Sequence, residues 1–243
     1  SILCMASVAL ASLFQSGFLA VIAAQIVESV ENCSWSVIGA GPGGLYFAWR
    51  LVEAQPELAP RICIFDQADR VGGRVMTLRN QGPKADLTVE AGAYRYIQKP
   101  VVEADPWTGG NRTVWTPLTA ALLEEGLKLH TAPYEPGDPA HAMRKIVDRW
   151  GHNAGYVTFV EELLSRVRSR GLRFFPGREL VAIAEGLPPH HKQVALTLSS
   201  PTGADPEMVF TEKVLLNLPQ QPLLKLLQSS PSLWASESPS LDG

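Results

Sequence analysis

Residues 37–51 read VIGAGPGGLYFAWRL, and the order of side chains in this stretch decides the fold. The run WSVI (residues 35–38) has the apolar, β-branched character of a short buried strand. It breaks into Gly39-Ala40-Gly41-Pro42-Gly43-Gly44 and resumes as LYFAWRLVEA, which has helical periodicity. The spacing of Gly39, Gly41 and Gly44 fits G-x-G-x-x-G. The first glycine permits a tight turn, the second lets backbone approach a pyrophosphate, and the third lets helix and strand pack closely. The helix N-terminus then offers unpaired N–H groups to phosphate oxygens. Pro42 suits the first helical turn, where its missing N–H has no partner to lose.

Downstream, RICIFDQ (residues 61–67) reads as a second buried strand ending on Asp66. The order strand, glycine turn, helix, strand, acid is that of a dinucleotide-binding β-α-β unit. Asp66 is the expected acceptor for adenosine ribose hydroxyls, with Gln67 beside it, and an acid there disfavours a 2′-phosphate. The competing reading is a glycine-rich loop of another α/β domain, with Asp66 a strand-end turn residue.

The next stretch, DRVGGRVMTLR (residues 69–79), places Arg70, Gly72, Gly73, Arg74 and Thr77 in the pattern R-x-G-G-R-x-x-[S/T]. Gly72 and Gly73 let the chain pass close to a ligand, and Arg74 presents a planar fork of donors suited to phosphate oxygens. The plain alternative is a basic surface loop. Following the ribose acid, this pattern resembles that of the flavin-containing amine oxidase family. A third segment, VEAGAYRYI (residues 89–97), holds Gly92-Ala93-Tyr94-Arg95, similar to the Gly-x-x-Arg of L-amino-acid oxidases. The resemblance implies that this segment lines the flavin and that Arg95 binds the substrate carboxylate; a surface salt bridge and a purely structural contact are the other readings of Arg95. GRELVAIAEG (residues 177–186) looks like the family strand that meets the adenine through a backbone valine, a place taken by Leu180 or Val181. VLLNLPQQPLLKLL (residues 214–227) looks like its apolar strand closing on a proline.

The resemblance implies an α/β fold: an FAD-binding Rossmann-like domain of glutathione-reductase type with an inserted, incomplete substrate-binding α+β region. It implies FAD held by Gly39, Gly41, Pro42, Gly43, Gly44, Asp66, Gln67, Gly73, Arg74, Gly92, Ala93, Tyr94, Arg95 and Val181. It also implies oxidation of an amine, best the α-amine of an L-amino acid, with dioxygen reduced to hydrogen peroxide and no protein nucleophile. Asp66 departs from the glutamate usual in the family. Members are about twice as long, so an N-terminal portion, inactive alone, is expected. The alternatives are an FAD- or NAD-binding module without turnover, and a polyamine oxidase or carotenoid-desaturase-like flavoprotein, which would not need Arg95.

The expected organisation is a leader over 1–27, the FAD-binding unit over 33–98, a substrate-domain-like helical excursion over 99–172, returning strands over 173–220, and the start of a C-terminal part over 221–243. YVTFVEELLSRVRSRG (residues 156–171) is an amphipathic helix stopped by Gly171. The leader has no charged residue before Glu28 and small residues at Ala20, Ala23 and Ala24, which suits a secretory signal; a membrane anchor is the alternative. Secretion is therefore expected, with membrane contact only if the leader is uncleaved. Asn32-Cys33-Ser34 and Asn111-Arg112-Thr113 have the form of glycosylation acceptors.

A hydrophobic content of 46% suits a packed core, and a net charge of −3 with scattered basic residues disfavours nucleic acid. The cysteines, Cys4, Cys33 and Cys63, indicate neither a zinc site nor a disulfide framework, and Cys63 reads as a small buried hydrophobe. His141, His190 and His191 read as solvated loop residues, and Trp150 and Tyr156 as packing residues.

Overall fold

The computed structural model describes residues 32–134, 142–190, 192–199 and 206–230. The leader, Cys4, His141, His191 and the Ser/Pro-rich end lie outside the described residues. The described residues open with β1 (Asn32–Ile38), α1 (Pro42–Ala54), a 3₁₀ turn (Pro56–Arg61) and β2 (Ile62–Asp66). Two hairpin strands follow, β3 (Thr77–Gln81) and β4 (Leu87–Glu90), then β5 (Tyr96–Ile97), β6 (Val101–Ala104) and β7 (Asn111–Val114). A short helix, α2 (Pro117–Ala120), runs into a π-helical turn (Ala121–Gly126), followed by β8 (Thr131–Pro133), β9 (Met143–Ile146) and α3 (Thr158–Arg168). The described chain closes with β10 (Arg173–Pro176), β11 (Glu179–Glu185), β12 (Val194–Ser199), β13 (Glu207–Leu216) and α4 (Gln220–Gln228).

The main sheet has six strands in the order β10-β2-β1-β13-β12-β11. β10, β2, β1 and β13 are mutually parallel, whereas β11, β12 and β13 form an antiparallel meander. Residues Ile62 to Phe65 are all buried, because apolar layers cover both faces of the sheet. On one face Leu45, Ala48 and Val52 of α1 and Val160, Leu163 and Val167 of α3 join Val37, Ile62 and Ile64 in a core. On the other, Ile38, Cys63 and Phe65 meet Leu196, Leu198, Val209 and Leu226 of α4. This is an α/β Rossmann-like fold with a mixed sheet and an inserted region of strands and helix.

β1 lies between β2 and β13, so the direction of winding reverses at β1. Ligands of open α/β sheets bind beyond the carboxyl ends of strands at such a switch point. Here that crevice is bounded by the Gly39 turn and by Asn217.

The structure adds to two readings from the sequence. Besides α2, the π-helical turn and α3, the 99–172 stretch holds four short strands, β6 to β9. β6 and β7 pair as a hairpin whose tip is closed by Asp105, which accepts from the Trp107 N–H at 2.9 Å and the Thr108 hydroxyl at 2.8 Å. Strands of two to four residues broken by Pro and Gly are too short for their alternation to register. β5, β9 and β8 form a second small sheet, tied to the π-helical turn by Glu124. That carboxylate accepts from the Tyr96 hydroxyl and from Gln98 Nε2 at 2.7 and 2.9 Å. Burial, then this hydrogen bond, pushes the Tyr96 phenol well above its usual range.

The cysteine reading is also corrected: Cys33 and Cys63 form a disulfide, Cα–Cα 6.0 Å, across the neighbouring strands β1 and β2. Strand adjacency in the β-α-β unit brings together two residues 30 apart. No spacing motif records this. Arg173 of β10 donates from Nη2 to Cys63 Sγ at 3.1 Å. Among the described residues no cluster of His, Cys, Asp or Glu is placed to hold a metal ion, and no helix is long and apolar enough to cross a membrane.

Candidate dinucleotide site

The glycine turn is pinned from both neighbouring strands. The Gly39 N–H donates to Phe65 O at the end of β2 at 2.8 Å, and the Asn217 N–H donates to Ile38 O at 2.9 Å. A Cβ on Gly44 would stand 2.1 Å from Gly39 O, and one on Gly39, at φ 105°, would stand 2.4 Å from Asn217 O. These two positions accept no side chain while α1 is packed this tightly on β1. Gly41, the N-cap of α1, supplies no side-chain cap, Pro42 leads the first turn, and that turn carries no acid. Gly43 is exposed beside them. The arrangement leaves backbone N–H groups and the positive helix end for an anion.

Asp66 lies at the lip of the same crevice, half-buried. Its Oδ2 accepts from the Ala40 N–H at 2.7 Å and its Oδ1 from the Ala68 N–H at 2.8 Å. The carboxylate thus braces the turn, and each oxygen keeps a further lone pair for a ligand hydroxyl. Gln67 beside it is exposed.

The Arg70–Arg74 loop closes over the turn. The Gly72 N–H donates to Ala40 O at 3.0 Å, and a Cβ on Gly73 would come 3.6 Å from Gly41 Cα. Gly72 has φ 106° and its Cβ would strike Val75 O at 2.3 Å, so glycine is required there. The two arginines divide: Arg70 is spent on its own loop, donating to Val71 O at 3.2 Å and Gly73 O at 3.1 Å. Arg74 is exposed, and its guanidinium makes no hydrogen bond or ion pair among the described residues.

The third segment runs antiparallel to the second. The Ala91 N–H donates to Met76 O at 2.8 Å, the Ala93 N–H reaches Arg74 O at 3.4 Å, and a Cβ on Gly92 would lie 2.0 Å from Arg74 O. Gly92 is needed because two backbones touch. Arg95 is half-buried between two tyrosines, its Cζ 4.8 Å from the Tyr94 ring centroid and 5.5 Å from that of Tyr134. Those rings lie 5.4 Å apart. Arg95 has no carboxylate partner among the described residues.

At the other end, the Arg178 N–H donates to Asp66 O at 2.8 Å, bringing the start of β11 to the end of β2. Val181 sits at an irregularity in the β11–β12 ladder, between Leu180 and Ala182, and is 37% exposed where Leu180 is 8% exposed. Its carbonyl accepts from the Ser229 hydroxyl at 3.0 Å.

Sequence reasoning passed over Asn217. Its Nδ2 donates to Gly39 O at 3.2 Å, and its Oδ1 lies 2.6 Å from where a Gly43 Cβ would stand. The available signal was a lone polar residue in the strand end VLLNLP. Two other expectations are corrected. His190 is half-buried rather than free in a loop: it stacks on Phe210 at 4.0 Å, with Nδ1 2.7 Å from Gln193 Oε1. Trp150 is not a packing residue; it is 67% exposed, with the Arg149 guanidinium 4.0 Å over its ring. Tyr156 packs edge-on against Phe159.

Residues 37–110 match the family model described as an NAD(P)-binding Rossmann-like domain. The sequence finds no match among curated proteins. Among solved structures, the chain is similar to Thermovibrio ammonificans THI4 at 12% identity and a TM-score of 0.49, covering 93% of this chain and 70% of that one. It is similar to the anhydrotetracycline hydroxylase OxyS of Streptomyces rimosus at 15% identity and a TM-score of 0.40, covering 75% and 31%. It is also similar to a putrescine oxidase solved with putrescine, at 14% identity and a TM-score of 0.42, covering 80% and 60%. The chain thus spans 31% and 60% of the last two, less than two thirds of either. The family match and the observed sheet agree on one conclusion: these residues build a Rossmann-like nucleotide-binding fold.

Proposed function

We propose that the chain binds FAD and is part of an oxidoreductase that oxidises an amine, best the α-amine of an L-amino acid, at the expense of dioxygen. The observation that carries the reading is the contiguity of three segments. Gly73 packs on Gly41, and Gly92 packs on Arg74, so the glycine turn, the Arg70–Arg74 loop and the Gly92–Arg95 segment line one continuous surface. An NAD(P) site needs the first of these alone; the other two motifs are those of the resemblance to amine oxidases. The residues fit the cofactor: a cradle closed to side chains at Gly39 and Gly44, an acid at Asp66 and an uncommitted guanidinium at Arg74.

When bound, FAD supplies the hydride-accepting centre. The chain supplies position and charge. The α1 N-terminus and Arg74 would hold the pyrophosphate, Asp66 would accept from the ribose, and Val181 would back the adenine. Tyr94 and Tyr134 hold the Arg95 guanidinium by cation–π contact, leaving its donor edge for a carboxylate. The second reading, an NAD(P)-binding module without turnover, draws on the description of the matching family model.

In the whole oxidoreductase of which this chain is proposed to be part, loaded with FAD, an L-amino acid added without air is expected to bleach the visible flavin band, and readmitting air to restore it with release of peroxide. Arg95→Ala is expected to raise the amino acid concentration required about 30-fold, the loss of about 2 kcal/mol for an unpaired charged contact. A diamine that reduces the flavin while L-amino acids do not would refute the carboxylate role; a flavin reduced by neither would refute amine oxidation. Secretion belongs to the same proposal, with membrane anchoring as its alternative.

A further inference from the structure

We propose that Asn111 carries an N-linked oligosaccharide and that Asn32 does not. Both begin Asn-x-Ser/Thr triplets, the acceptor form for this modification. The structure separates them. Asn111, Arg112 and Thr113 are all exposed, at the start of β7 where the β6–β7 hairpin leaves its tip. Asn111 lies opposite Ala104, and neither its side-chain amide nor the Thr113 hydroxyl has a hydrogen-bond partner among the described residues. Arg112 is held aside by Glu103 at 2.6 Å. The Asn32 triplet runs into the interior of the main sheet. Cys33 is fully buried in the disulfide, and Ser34 is 4% exposed with its hydroxyl 3.4 Å from Glu212 Oε1.

A second, independent observation is compatible with this modification. The Cys33–Cys63 disulfide favours an oxidising environment, the kind in which N-glycans are attached. The hairpin also benefits from a polar cover: Val102 is 66%, Trp107 88% and Trp115 50% exposed on it or beside it, more apolar surface than a short hairpin usually leaves to water.

The test is a peptide map of the chain produced, with residues 1–31 in place, in a eukaryotic secretory host. Peptide-N-glycosidase converts each glycan-bearing Asn to Asp and so marks it by mass. The expected result is conversion at Asn111, none at Asn32, and a gel shift lost equally in Asn111→Gln and Thr113→Ala but retained in Asn32→Gln. Thr113→Ala keeps Asn111 in place, so a folding defect peculiar to the glutamine variant is recognised. An unconverted Asn111, or conversion at Asn32, overturns the proposal.

Discussion

Gly41 and Gly44 are equivalent letters in the motif and unequal in the structure. A Cβ at Gly44 would meet Gly39 O at 2.1 Å, whereas one at Gly41 meets only Asn217 Nδ2, at 3.4 Å, with φ −76° open to any residue. Gly44→Ala is therefore expected to lower the melting temperature and abolish cofactor binding together. Gly41→Ala is expected to leave melting nearly unchanged and still weaken FAD at least tenfold, about 1.4 kcal/mol, because the methyl group occupies the approach of the pyrophosphate. Thermal melts and FAD titrations on the two variants separate the tasks; equal loss of melting temperature in both would contradict it. Tyr156 has a different kind of signature. Burial pushes its phenol from 10.0 up to about 12. The unfolded chain then loses this proton first, so the stabilisation is complete below pH 10 and drains away as pH rises towards 12. Tyr156→Phe should remove this part of the alkaline slope in denaturant melts; an unchanged slope would show that Tyr156 does not contribute to it.

Elements that are long and continuous were legible. β1, α1, β2 and α3 follow their apolar periods, and α3 begins where the sequence turns amphipathic. Its start is held by Glu90, which accepts from the Tyr156 N–H at 2.7 Å and the Thr77 hydroxyl at 2.6 Å, a contact between segments 66 residues apart that no local pattern encodes. The β6–β7 hairpin and the β5–β9–β8 sheet were illegible because their strands run two to four residues, less than the window in which alternation can be counted. The disulfide belongs to this scale too. It closes a segment of 30 residues between adjacent strands. Loop closure at that length stabilises by about 3–4 kcal/mol. Replacing Cys33 and Cys63 by Ser is expected to lower the free energy of unfolding by about that amount. A denaturant melt of the double variant that matches the parent would show that the bond contributes nothing.

For the molecule as a whole, the sheet order puts the carboxyl ends of β1, β2 and β13 around one crevice, and the connections deliver Asp66, Arg74, Gly92 and Asn217 to its rim. The first three were read from the sequence because each stands in a motif with a physical reason for its residue type. Asn217 and Tyr134 were not, since each reaches the site through topology: Asn217 from just past β13 of the main sheet, Tyr134 from just past β8 of the small β5-β9-β8 sheet. Their roles depend on the same claim, that this crevice is built for FAD. Equilibrium titration of the chain with FAD and with NADP, followed by flavin fluorescence and by calorimetry, tests that claim most directly. The account predicts one FAD bound per chain, weakened about tenfold by Arg74→Ala through loss of a charged phosphate contact, and NADP bound more weakly than FAD. Tight binding of NADP with no binding of FAD would contradict it.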